Sequence, residues 1–90
     1  MVYLALIADI VASQEIRNRS AFQNGLLTIL NRINHDSAQS LSSPFTITLG
    51  DEFQALYRNT NTVLVDIFDI ITEIHPNRVR FGLALGEITT

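Results

Sequence analysis

Ninety residues, 47% apolar and 17% charged with a net charge of −3, describe one domain with a single core, since a chain of this size buries roughly 60–70% of its unfolded surface. The chain has no cysteine, which excludes disulfide frameworks, thiolate nucleophiles and cysteine-ligated metals and suits a reducing compartment. All six basic residues are arginine, which excludes lysine Schiff bases and a P-loop, and their scatter on an acidic chain argues against a nucleic-acid partner.

The chain opens on Val2–Ile10, an aliphatic strand apolar on both faces. No basic residue precedes it and Asp9 interrupts it, so it is neither a signal peptide nor a membrane span. A cytoplasmic protein with no membrane partner is expected. A helix follows from Arg19 to Asn34, where Phe22, Leu26, Ile29, Leu30 and Ile33 make one stripe of a 3.6-residue period. Ser20 and Gln23 have the spacing of a capping box at its start. The polar run Ser37 to Pro44 reads as a connection. Two strands, Phe45–Leu49 and Glu52–Arg58, join through Gly50-Asp51, a tight hairpin signal.

The second helix is read over Asn61–His75 with Thr60 as cap. Val63, Leu64, Ile67, Phe68, Ile71 and Ile74 are its expected buried stripe; Asp66, Asp69 and Glu73 are its expected wet face. Pro76 forces the exit. In the last strand, Arg78–Ile88, Val79, Phe81, Leu83 and Leu85 alternate with Arg78, Arg80, Gly82, Ala84 and Gly86.

The order is β-α-β-β-α-β, the ferredoxin-like pattern of an α+β domain. Its usual form is an antiparallel four-stranded sheet, order 4-1-3-2, with both helices on one face. That topology brings Asp9, Asp51, Glu52, Arg78 and Arg80 to one edge, near the start of the first helix. Two carboxylates meeting there need a cation. Mg²⁺ or Mn²⁺, completed by phosphate oxygens and water, is one solution; a pairing of Asp9 with Arg80 is another. Asp51 suits either a metal or plain turn chemistry. Glu52 is either a supporting partner of the metal site or an exposed hairpin residue. Arg17 and Arg19 either touch phosphate from the helix start, where unpaired N–H groups favour anions, or are exposed. His35 and His75 are lone loop histidines.

Three runs carry a family resemblance: Ala8-Asp9-Ile10-Val11, Thr48-Leu49-Gly50-Asp51 and Arg80-Phe81-Gly82-Leu83 with Gly86-Glu87. In matching order they resemble the class III nucleotidyl cyclase catalytic fold. Leu49-Gly50-Asp51-Glu52-Phe53 is also similar to the GGDEF signature of diguanylate cyclases, with Leu49 in place of the first glycine. More closely still, the chain resembles the SatD family at Ile7-Ala8-Asp9-Ile10-Val11-Ala12-Ser13, at Arg19, at Thr48 to Gln54 and at Arg80-Phe81-Gly82. The resemblance implies a metal pair held by Asp9, Asp51 and the backbone carbonyl of Ile10, with Ser13, Arg19, Glu52 and Arg80 towards a nucleotide or its phosphates. It also implies that residues 1–90 form the N-terminal part of a longer protein.

The chain departs from the cyclases at two places. Ile47 stands where adenylate cyclases carry a base-reading lysine, and Ala12-Ser13-Gln14 replaces their Gly-Phe-Thr. The asparagine and arginine that stabilise the cyclase transition state lie past the fourth strand, outside these residues. The functional expectation is therefore divalent-metal-dependent nucleotide binding on a degenerate cyclase-like core, or a non-catalytic regulatory or assembly module. A one-domain RNA binder ranks last, because Phe53 and Phe81 fit core alternation and no basic patch supports them. An apolar first strand under helices that cover one face predicts a homodimer through the open sheet face.

Overall fold

The computed structural model describes residues 2–87. Its elements are β1 (Val2–Ile10), a 3₁₀ turn (Ser13–Glu15), α1 (Arg19–Asp36), β2 (Leu41–Leu49), β3 (Glu52–Tyr57), α2 (Val63–Ile74) and β4 (Val79–Glu87). The sheet order is β2-β3-β1-β4 with antiparallel neighbours throughout. This is the expected 4-1-3-2 arrangement read from its other edge. Ile88, expected in the last strand, lies outside the described residues.

The alternation of β1 sets the two faces of the sheet. Leu4, Leu6, Ala8 and Ile10 are buried under the helices, whereas Tyr3, Ala5, Ile7 and Asp9 face the open side. Leu26, Ile29, Leu30 and Ile33, the expected stripe of α1, close the core from above. Phe45 packs edge-on to Tyr57 with ring centroids 6.0 Å apart and tilts against Phe53 at 6.1 Å. These rings anchor β2 and β3 beneath α1.

Local chemistry redraws several boundaries. The N-cap of α1 is Asn18, whose side chain accepts from the Ala21 N–H, so Ser20 lies inside the helix and caps nothing. Leu41 to Pro44 is not a connection but the start of β2, with register shifts that fit Pro44 onto an edge strand. Asn34 secures the next residue: its side-chain amide donates to the Phe45 carbonyl and accepts from the Phe45 N–H, at 3.0 and 2.7 Å.

The second helix differs most from expectation. It begins at Val63 after Thr62, and Asp66 is buried at 3% exposure on its core side with Val63, Ile70 and Ile74. Leu64, Phe68 and Ile71, expected in the core, are exposed instead. The cause is a hydroxyl cage. Ser37 Oγ, Tyr57 OH and Thr62 Oγ1 donate to the Asp66 carboxylate at 2.8, 2.7 and 3.0 Å. A caged carboxylate can be buried where a bare one could not. Asp69 and Glu73, on the wet face as expected, meet Arg32 of α1 at the surface.

Candidate functional site

The fold gathers the chemistry-bearing residues at one end of the sheet. β1 finishes at Ile10, and near its end Asp9 lies opposite Glu52 of β3 and Arg80 of β4. Residues directly opposite on neighbouring strands share a face, so Arg80, Asp9 and Glu52 form one row across the open side. Asp9 and Glu52 are like charges set opposite one another. Arg80 relieves the row: its Nε and one terminal nitrogen donate to the two oxygens of Asp9 at 3.2 and 3.1 Å. Glu52 in turn accepts from Thr48 Oγ1 at 3.3 Å.

Asp51 lies in the Gly50-Asp51 turn, with Leu49 and Glu52 paired as the closing residues of the hairpin. Gly50 has φ +26°, a left-handed value that suits glycine. The turn is stitched to β1 through the Ile10 N–H, which donates to the Asp51 carbonyl at 2.9 Å, and the Val11 N–H is bonded to the Arg78 carbonyl. The Asp51 side chain turns towards the start of α1, where Ser13 Oγ donates to it at 2.5 Å. Arg19 donates to the Ser13 carbonyl at 3.2 Å, and Gln23 donates to the Gly50 carbonyl at 3.1 Å.

The segment between β1 and α1 is bent for this contact. Ala12 has φ 53° and ψ 44°, a left-handed conformation that costs an alanine roughly 1–2 kcal/mol. The bend buries Ser13 against the hairpin. Strain of this kind persists where surrounding contacts over-determine it.

The predicted site residues thus fall into two adjoining groups. Ser13, Arg19 and Asp51 come together around a crevice of only about 10 Å³, room for a single water at most. Asp9, Glu52 and Arg80 line an open depression beside it, and Ile10 joins the groups through its backbone. Arg17 and Arg78 are exposed, and His35 pairs with neighbouring Asp36 on the surface. Gln23 was not expected here. Its spacing from Ser20 matched a cap, and only the topology puts the first turn of α1 beside the hairpin.

The donor set is hard: two carboxylates and main-chain carbonyls on adjoining strand ends. This suits Mg²⁺ or Mn²⁺, which bind through one or two carboxylates and take their remaining oxygens from phosphate and water. Among the described residues no group of three or more His, Asp or Glu side chains converges. Asp9 and Asp51 would therefore need oxygens from a ligand, and Asp9 would have to exchange Arg80 for the ion.

The fold is that of a nucleotidyl-cyclase-like core. A solved structure titled as the guanylate cyclase domain of RhGC from Catenaria anguillulae in complex with GTP matches with a TM-score of 0.60 at 18% identity. The match covers 94% of this chain and 56% of that one, so the chain spans little more than half of that domain. Residues 3–90 match the SatD family, and the protein belongs to that family. No curated protein matches the chain.

Proposed function

We propose that this SatD-family domain binds a nucleotide through a divalent metal at the edge formed by Asp9, Ile10 and Asp51. One observation supports this above the others: the end of β1 is hydrogen-bonded to the β2–β3 turn, with Asp51 turned towards Ser13 and Arg19. The Asp51 carboxylate then lies beside the Arg19 guanidinium, with the end of β1 bonded to the same turn. When bound, the metal would supply charge neutralisation and orientation of phosphate oxygens. Asp9, Asp51 and the Ile10 carbonyl would hold it; Ser13, Arg19, Glu52 and Arg80 would face the nucleotide. GTP, present in the solved cyclase domain of similar fold, is the first nucleotide to try.

Thermal shifts with Mg²⁺ or Mn²⁺ and each nucleoside triphosphate, beside Asp9→Asn and Asp51→Asn, test the proposal. A ligand at a hundredfold excess over its dissociation constant stabilises the fold by about 2.7 kcal/mol. Both variants should lose that gain. No stabilisation by any metal–nucleotide pair would sink the reading.

A second reading has its own support. Arg80 already satisfies Asp9, and Ser13 already satisfies Asp51. An edge neutralised from within suits a non-catalytic regulatory or assembly module. In that case metal adds nothing, and Asp9→Asn is mildly destabilising with or without it.

A further inference from the structure

The candidate site carries its own counter-ion. Arg80 holds both oxygens of Asp9, through Nε at 3.2 Å and a terminal nitrogen at 3.1 Å. This paired contact needs the planar fork of an arginine. The two residues are directly opposite in the β1–β4 register, so the sheet itself builds the pair. It is nonetheless no structural rivet. The two side chains are 74% and 39% exposed, and an ion pair this wet contributes little to stability. Whatever competes well for Asp9 can open it.

The charges along the edge decide what can compete. Asp9 and Glu52 share the open depression with Arg80, and Asp51 shares the adjoining crevice with Arg19. Three carboxylates against two guanidinium groups leave a single net negative charge. A divalent ion arriving alone finds Asp9 already held by Arg80 and Asp51 already holding the Ser13 hydroxyl. To reach Asp9 it must also settle beside the Arg80 guanidinium, cation against cation. Mg²⁺ gives up its water reluctantly and binds through one or two carboxylates with phosphate oxygens. A polyphosphate changes the balance. Carried in with the ion, it brings several negative charges, and its oxygens suit the arginine fork as well as a carboxylate does. Arg80 can then leave Asp9 without losing a charged partner.

We propose that Arg80 is an internal counter-ion that keeps a bare divalent ion off Asp9, so that metal enters this edge only together with a polyphosphate. This gating rests on the metal reading of the Asp9–Asp51 edge and adds to it a ligand class and a rule of entry. Metal and polyphosphate bind with positive coupling, and by linkage each raises the affinity of the other by the same factor. A ligand with a single phosphate brings less charge and releases Arg80 less readily. The neutralised edge is the empty state of the site, and the metal–polyphosphate edge is its filled state.

Mn²⁺ titrations of the whole chain, followed by the electron-spin resonance of the free ion, test this without any turnover. Arg80→Gln removes the counter-ion. Arg78→Gln removes the same charge from an exposed position nearby and controls for net charge. Both positions are exposed, so the fold should survive, as circular dichroism melts would verify. Arg80→Gln should bind Mn²⁺ alone about tenfold more tightly than the wild type. Arg78→Gln should differ from the wild type by less than about threefold, because solvent and salt screen an exposed charge at that distance. In the wild type, the Arg80 Nε–H resonance should stay in place with Mg²⁺ alone and shift when inorganic tripolyphosphate is added with the ion. Equal Mn²⁺ affinities in the wild type and Arg80→Gln overturn the proposal and leave the metal reading standing. So does an Nε–H signal that Mg²⁺ alone already moves. If neither Mn²⁺ nor Mg²⁺ with tripolyphosphate binds the wild type or Arg80→Gln, the metal reading itself falls, and the gating with it.

Discussion

Tyr57 shows how one side chain can tie a fold together and set its response to pH. It is fully buried, and its hydroxyl donates to the Asp66 carboxylate at 2.7 Å. Burial first, then the hydrogen bond and the negative charge of Asp66, push its ionisation well above the ordinary value of 10.0. A folded-state value above the unfolded one favours the protonated form. Its contribution is therefore complete below about pH 10 and declines as the unfolded chain begins to ionise above it. Melting temperatures taken between neutral pH and about pH 11 should fall at the alkaline end. Tyr57→Phe should destabilise the protein by about 1–3 kcal/mol at neutral pH, leaving Asp66 one donor short, and its melting temperature should fall less steeply with alkali. Equal alkaline slopes would show that another group is responsible. Gly50 is a simpler case. A Cβ there would meet only ordinary contacts, 3.8 Å from Gln23 and 3.9 Å from Arg19. The cost of Gly50→Val should therefore come from its φ of +26°, on the order of 1–3 kcal/mol for a β-branched residue, read as a lower melting temperature.

At the scale of elements, Asn34 does the work of a missing strand neighbour. β2 is an outer strand with shifted register, and the Asn34 side chain gives its Phe45 peptide both a donor and an acceptor. Asn34→Ala should cost about 1–3 kcal/mol by leaving partly buried groups unpaired. Asn34→Asp, which sets a carboxylate oxygen against the Phe45 carbonyl, acceptor to acceptor, should cost at least as much in a chemical denaturation series. β2 starts earlier than its polar sequence suggests because Leu41 pairs with Tyr57 and its carbonyl accepts from the Arg58 guanidinium, and no periodicity announces a side chain from another element. α1 was legible for the opposite reason. Its apolar residues fall on one narrow stripe with polar residues around the rest, so one orientation satisfies it. α2 has apolar residues on nearly every side and admits more than one way of packing. The choice was made by Ser37 and Tyr57, hydroxyls on other elements that hold Asp66 inward. Asp9, Asp51 and Arg80 were placeable because the topology alone carries them to one edge. Gln23 and the bend at Ala12 were not, since both depend on how the first turn of α1 meets the hairpin.

Over the whole molecule, the two ends of the sheet are held by different kinds of contact. At the candidate-site end, the Asp9–Arg80 pair and the Gln23–Gly50 bond are exposed, and such contacts contribute little each. At the far end, the Asp66 cage is buried, and the Arg58 N–H and guanidinium bond the Ser40 and Leu41 carbonyls. Between them lie Leu6 and Phe53, with no exposure at all. Opening one end need not disturb the other, and local openings of this kind are what binding regions commonly show. Amide hydrogen exchange should separate three classes. Leu6 and Phe53 should exchange only on global unfolding. The amides of Ile10 and Val11, bonded to Asp51 and Arg78 carbonyls, should exchange faster by local opening, and the Arg58 amide more slowly than those two. A metal–nucleotide ligand at the Asp9–Asp51 edge should then slow Ile10 and Val11 selectively, leaving Arg58 almost unchanged below saturation of global stability. If Ile10, Val11 and Arg58 exchange at one common rate with and without ligand, the ends are not independent and the edge does not open to receive anything.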